Sequence, residues 1–286
     1  MTGAGDTGTR GHGDMEIAAS PPRRVSASGA SRFTLHATRH FLIAWHFLTA
    51  IPLSRNHHDP LPQELAQSMG WYPLVGLILG GALALSDLLL AQFFSDLVVN
   101  GLLLVLLVAL TRGLHQDGLA DTLDGLAGGR SPAARLAIMR DGRIGAIGAT
   151  GLILALGLRY AGLADLPEAA RLPLLLCMPA VGRWAMVVGS VSAPYARAEG
   201  GLAQSFLTHL SFWHVLGATL LLGGALFWAM GPAGALVSLV LPAIVARAVT
   251  AFARRFFGGV TGDVLGATNE VAEIMFLLVS PALLAA

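Results

Sequence analysis

The chain has 286 residues, of which 55% are hydrophobic and 12% charged, with a mean hydropathy of +0.67 and a formal net charge of +1. A soluble domain carries about a quarter charged residues, so the chain cannot build a polar shell and reads as a protein whose solvent is a bilayer. The near-zero charge offers no surface for nucleic acid. All 18 basic residues are arginine, which removes the lysine that a P-loop needs. The single Cys177 excludes a disulfide framework and a cysteine zinc site, and within its apolar run it reads as a small buried hydrophobe.

Residues 1–40 are rich in Gly, Ser, Thr and Arg without an apolar period and are expected to be a disordered tail, leaving 41–286 as one membrane-embedded catalytic domain. Arg10, Arg23, Arg24, Arg32 and Arg39 precede the first apolar stretch, Phe41 to Leu53. That stretch contains His46, reaches Pro52 and has no small-residue cleavage site after it. It is expected to be a short membrane-entering helix with a cytoplasmic N-terminus, not a signal peptide. His57 and His58 follow in a polar loop and are weak evidence for a metal.

Continuous apolar runs follow at 71–94, 97–112, 144–163, 172–192, 212–230, 233–251 and 271–285. A spanning helix needs about 20 apolar residues, and the runs lack the alternation of a barrel strand. The fold class expected is all-α, a polytopic membrane bundle of six to eight helices. No internal repeat of the transporter kind is visible.

Polar segments interrupt the runs at 113–143, 193–211 and 256–273. The first places Asp117, Asp121 and Asp124 at i, i+4 and i+7, one face of a helix. Three carboxylates so close repel, and hard oxygen ligands on one face suit Mg²⁺ or Mn²⁺. A solvated acidic loop is the plain alternative. The interleaved Leu114, Leu119, Leu123 and Leu126 argue for a packed, amphipathic segment instead. His115 is open to three roles: ligand, general base or phosphate contact. Asp141 is a fourth carboxylate in reach. Arg140 and Arg143 suit phosphate oxygens, although membrane anchoring explains arginines there equally well.

The 193–211 segment offers Tyr195 and Arg197. The 256–273 segment is a glycine-rich turn leading to Asp263, Glu270 and Glu273, expected inward or at the membrane edge. Helix-dipole preference explains the two glutamates but not Asp263. Carboxylates, a divalent cation and arginines together form the toolkit of phosphoryl transfer. The arginines in 113–143 and at 247, 254 and 255 put this face on the cytoplasmic side.

Four ordered blocks carry a resemblance. They are Phe47-Leu48-Thr49-Ala50-Ile51-Pro52-Leu53, Tyr72-Pro73-Leu74-Val75-Gly76-Leu77-Ile78-Leu79-Gly80, the His115–Gly125 block with its Arg135–Gly148 continuation, and Thr261-Gly262-Asp263 through Glu273. With the loop from Tyr195 to Gly200, they cover most of the chain beyond residue 40, and the chain resembles the cobalamin synthase (adenosylcobinamide-GDP ribazoletransferase) family. The pattern His-x-Asp-Gly-Leu-Ala-Asp-x-x-Asp-Gly is complete from His115 to Gly125. Gly142 stands where the family usually has Ser.

The resemblance implies a Mg²⁺-dependent inner-membrane enzyme that joins adenosylcobinamide-GDP to α-ribazole or its 5′-phosphate and releases GMP. The chemistry then suggests Asp117, Asp121, Asp124 and Asp141 for Mg²⁺, with His115, Asp117 and Asp121 as catalytic groups. Arg140, Arg143, Tyr195, Arg197, Asp263 and Glu270 are expected to contact substrate. Partners expected are the two small-molecule substrates and membrane lipid, and a homo-oligomer is left open. The rival readings are a CDP-alcohol phosphotransferase, whose block usually has Arg after the Ala at the position of Asp121 here, and a cation transporter.

Overall fold

The computed structural model describes residues 29–54 and 59–285, so His57 and His58 and residues 1–28 of the expected tail lie outside the described residues. The described chain is all-α, with one isolated bridge between Tyr195 and Val260. Five helices are long and apolar enough to cross a membrane, or six if one bent pair counts as a span.

Helix α1 (Gly29–Leu48) begins inside the segment read as a tail. It is not among the candidate spans, because His36, Arg39, His40 and His46 interrupt its apolar face. It packs against α2 (Pro62–Ser68), and Arg39 pairs with Glu64 at 2.8 Å. A 3-10 turn (Met69–Trp71) leads into α3 (Tyr72–Leu90), which has a proline in its first turn, where a missing N–H costs nothing.

Helix α4 (Asp96–Thr111) ends in two consecutive left-handed residues, Arg112 (φ 56°) and Gly113 (φ 66°). Glycine adopts that conformation without a Cβ clash. The pair turns α5 (Leu114–Gly128) by 89° from α4, so α5 lies crosswise at the bundle end and not along a crossing path. After α6 (Pro132–Ile138), α7 (Ala146–Ala164) and α8 (Glu168–Ser190) cross in turn. Then α9 (Leu202–His209) lies short at the same end as α5.

At 46 residues, α10 (Phe212–Phe257) would be about 69 Å long if straight, against a hydrocarbon core of about 30 Å. It is not straight. Gly231 leaves the helical conformation at φ 71°, and Pro232 follows. A Cβ on Gly223 would stand 3.6 Å from the Leu239 side chain, and the Ser238 hydroxyl reaches Met230 Sδ at 3.4 Å. Contacts between residues so far apart in sequence require the two limbs to fold back on each other. α10 therefore makes two passes, matching the separate apolar runs 212–230 and 233–251. Finally, α11 (Gly262–Ala285) crosses back.

Helix α8 is the centre. Of its most apolar stretch 78% is buried, against 28% for α7, and it packs on α3, α10 and α11. Cys177 is buried within it. Gly76 and Gly80 in α3 form a small-xxx-small face on which the backbones of Ala180 and Leu176 rest. A Cβ at either glycine would overlap that backbone. At the far end, Arg171 of α8 binds Asp87 of α3 at 2.8 Å, Asn100 of α4 at 2.6 Å and the Leu163 carbonyl of α7 at 2.9 Å, fastening four helices.

Gly80→Leu is expected to force α3 and α8 apart and to destabilise the bundle by about 1–3 kcal/mol, the usual cost of overpacking. Unfolding in mixed SDS micelles checks this, and Gly101→Leu, at a glycine with open space, should cost far less.

Candidate active site

The two acidic segments of the sequence meet in space. Helix α5 lies against the first turns of α11 through glycines. A Cβ on Gly118 would stand 2.7 Å from the Asp263 carbonyl oxygen, and one on Gly266 would touch Gly118 and His115 at 3.4 Å. This approach sets the His115–Asp124 face beside Asp263.

Beneath it is a charge network shut off from water. Glu270 and Glu273 on α11 are 1% and 0% exposed, and Arg159 of α7 and Arg183 of α8 are each 1% exposed. Arg159 bridges both glutamates, at 2.9 Å to Glu270 and 2.7 Å to Glu273, while Arg183 pairs with Glu273. Gln116 donates to Glu270 at 3.1 Å, and Asn269 donates to Glu273 at 3.0 Å. Two guanidinium groups offset two carboxylates, so the cluster is neutral as a unit. An isolated charge there would cost several kcal/mol. Of the two positions expected for Glu270 and Glu273, inward or at the membrane edge, they take the inward one, two to three turns inside α11. The acidic and glycine-rich motifs of the sequence point to neither arginine. A lone arginine within an otherwise apolar run, as in 144–163 and 172–192, was the available signal.

His115 joins this network. Its Nδ1 faces Arg183 Nη2 at 3.5 Å, the outer limit of a hydrogen bond. A guanidinium only donates, so Nδ1 is the acceptor and a neutral ring carries its proton on Nε2. Nε2 has no protein partner among the described residues. That arrangement makes His115 a donor to a ligand, whereas the base role considered from the sequence needs a free lone pair at Nε2.

The carboxylates nearer the surface divide into two kinds. Both oxygens of Asp124 are taken, accepting from the Gly145 and Gly148 amides at 2.7 Å each and capping α7. A Cβ on either glycine would collide with that carboxylate. Asp141 forms a forked pair with Arg143, which holds its carboxyl below the ordinary range, and both are exposed. Arg140 pairs with Glu199. These contacts give Asp124, Asp141, Arg140 and Arg143 positioning partners of their own.

Asp117, Asp121 and Asp263 lack such full engagement. Partial burial, then the charges of Asp117, Asp263 and Asp124, push the Asp121 carboxyl up to about 6, with Arg197 acting against them. Among the described residues, no three His, Cys, Asp or Glu side chains already stand in a cation-holding arrangement. The donor set still suits a hard cation, because added positive charge would relieve the mutual repulsion of these oxygens.

Arg197 donates to Asp263 at 3.0 Å. Its loop is held by Ala196 N to the Val260 carbonyl at 3.1 Å and Val260 N to the Pro194 carbonyl at 2.8 Å. Tyr195 is packed in the same loop, its hydroxyl 3.5 Å from the Gly200 carbonyl.

A cavity of about 190 Å³ opens beside this group, with His115, Asp117 and Asp263 in its wall. The arginines at 112, 130, 135, 140, 143, 197, 254 and 255 stand on helix ends and loops of this same face.

A family model described as cobalamin-5-phosphate synthase matches residues 40–280. A relative from Syntrophobacter fumaroxidans named adenosylcobinamide-GDP ribazoletransferase is 43% identical over 83% of this chain and 96% of its own. Relatives of the same name from Desulfitobacterium hafniense and Ectopseudomonas mendocina are each 40% identical, over 84% and 82% of this chain and 95% and 96% of theirs. No solved structure matches. With the family's acidic block folded against its C-terminal Thr-Gly-Asp segment, and the match running over nearly the whole described bundle, the chain belongs to the cobalamin-5-phosphate synthase family.

Proposed function

We propose that the protein transfers the adenosylcobinamide-phosphate group of adenosylcobinamide-GDP to α-ribazole or its 5′-phosphate, giving adenosylcobalamin or its phosphate and GMP. The observation that carries this reading is the meeting of His115 and Asp117 with Asp263 at one cavity, Arg197 being paired to Asp263, in a chain whose relatives bear that activity in their names. In the reaction, a free ribose hydroxyl of α-ribazole, other than the 5′ position that carries the phosphate in the 5′-phosphate form, attacks the phosphorus on the cobinamide side and gives up its proton, so that any 5′-phosphate is retained in the product. The bond from that phosphorus to the bridging oxygen breaks, and the oxygen leaves with GMP.

Asp117 and Asp121, with Asp263, are the residues that would hold Mg²⁺, and the ion when bound would offset the charge of the pyrophosphate and of departing GMP. Within the chain, a carboxylate of the Asp117–Asp121–Asp263 group accepts the proton when a hydroxyl attacks. Arg197 presents a guanidinium to phosphate oxygens, and His115 donates from Nε2. Asp124 fixes α5 against α7, and the Arg140–Glu199 pair fixes the loop that carries Arg197.

A cation-transport reading is disfavoured by the balance of the buried network, in which Arg159 and Arg183 already match Glu270 and Glu273. The arginine-rich face is assigned to the cytoplasm, and the membrane to the inner one. There GTP-derived and corrin substrates reach the site from water.

Detergent-purified protein given adenosylcobinamide-GDP, α-ribazole and Mg²⁺ is expected to release GMP. Asp121→Asn should lower the rate by roughly 100-fold or more, the scale on which a charged catalytic group counts. EDTA should stop release and Mg²⁺ restore it; release unaffected by EDTA would contradict the metal assignment. For topology, Ala133→Cys on the site face should react with an impermeant maleimide in inside-out vesicles only, and Phe94→Cys at the far end in right-side-out cells only. The reverse pattern would overturn the cytoplasmic assignment.

A further inference from the structure

The carboxylates and arginines of the site face suit hydroxyls and phosphates, yet most of the adjoining cavity is built for something else. Its wall on the side of α1, α3, α8 and α9 is apolar: Phe47, Tyr72, Met69, Met186, Phe206 and Leu202. Three of these rings form one cluster. Phe47 stacks on Tyr72 at 6.2 Å between centroids, and Phe206 lies 5.1 Å from Phe47 and 6.3 Å, edge-on, from Tyr72. The carboxylates and the imidazole come from α5 and α11, as Asp117, Asp263 and His115, and the one further polar side chain of the wall is the Tyr72 phenol, which pairs with Ser68. The cavity is thus two-sided, with an aromatic lobe facing a polar edge.

Size and polarity restrict the guest. The cavity measures about 190 Å³, and an apolar protein cavity of about 150 Å³ is known to take a benzene ring. A corrin macrocycle is far too large. Guanine is small enough, but its carbonyl, amino and ring N–H groups would meet apolar side chains, and each unmet polar group costs about 1–3 kcal/mol. A methylated benzimidazole joined to ribose carries a single free ring nitrogen and is otherwise hydrocarbon.

We propose that this cavity is the subsite for the dimethylbenzimidazole of α-ribazole, which lies among Phe47, Tyr72 and Phe206 with its ribose turned toward Asp117 and Asp263. The proposal rests on the ribazole-transfer reading above and adds to it which substrate enters the bundle and which stays at its surface. The nucleotide and corrin then occupy the open arginine-rich face, and the aromatic lobe sets which lower base the enzyme accepts.

Two variants alter the lobe without touching the polar edge. Ala203, buried on α9, lines the cavity, and Ala203→Phe fills it. The expected result is a KM for α-ribazole raised about tenfold or more, the scale of steric discrimination in a hydrophobic pocket, with the KM for adenosylcobinamide-GDP within about twofold. Phe206→Ala enlarges the lobe and is expected to shift kcat/KM by about tenfold toward a riboside with a wider base, such as naphthimidazole. Binding of α-ribazole alone, followed by its own fluorescence, is expected to weaken in Ala203→Phe. Free 5,6-dimethylbenzimidazole should displace it from the wild-type protein.

A KM increase for adenosylcobinamide-GDP alone would place the nucleotide or the corrin in the cavity and overturn the proposal. Unchanged α-ribazole binding in Ala203→Phe, or unchanged base preference in Phe206→Ala, would overturn it as well and leave lipid as the guest. Wild-type protein that binds α-ribazole but releases no GMP would count against the transfer reading and not against the subsite.

Discussion

Two arginines and two glutamates, all but closed to solvent, are the constraint around which this bundle is arranged. Inside a bilayer, a lone charge is expensive and a matched set is tolerable only when every member keeps its partners. Arg159 on α7, Arg183 on α8 and the pair Glu270 and Glu273 on α11 therefore dictate how three crossing helices sit relative to one another. Gln116 and His115 extend the same network into α5. The helix that carries the acidic face is thereby fixed to the membrane core by hydrogen bonds made beneath it.

Glycine makes that attachment close enough to matter. Gly118 and Gly266 let the backbones of α5 and α11 touch, and Gly145 and Gly148 let Asp124 reach the amide groups that open α7. The result is a face on which Asp117, Asp121 and Asp263 are held together against their mutual repulsion, the Asp121 carboxyl being raised first by burial and then by these neighbours. Folding free energy from the buried network and the packed glycines offsets the cost of assembling those charges. A fold built this way is poised to accept positive charge at one place.

Much of this was legible in the sequence, and particular residues show where legibility stopped. The apolar runs gave the crossing helices, and even the reversal at Gly231 fell in the gap between runs 212–230 and 233–251. The i, i+4, i+7 spacing of Asp117, Asp121 and Asp124 correctly put them on one helix. It could not reveal that Asp124 caps a helix starting more than twenty residues later, because nothing local marks that partnership. Arg159 and Arg183 were submerged in the average hydropathy of their runs. The cavity draws its wall from α1, α3, α5, α8, α9 and α11, and no linear pattern records such a convergence. The start of α1 at Gly29 is not legible, because the sequence of its first turns is as polar as the segment before it.

The central claim is that opposite charges within the buried network hold the site in place, and an exchange of both partners tests it directly. Replacing Arg183 and Glu273 singly by Met should each destabilise the bundle by about 3–5 kcal/mol, since each leaves a charge without its mate. Replacing both leaves Arg159 with Glu270 and removes the imbalance. The double variant should then recover most of the stability in SDS unfolding while GMP release stays low, because His115 has lost its anchor. Single costs that simply add in the double variant, or a double variant with full activity, would contradict the claim.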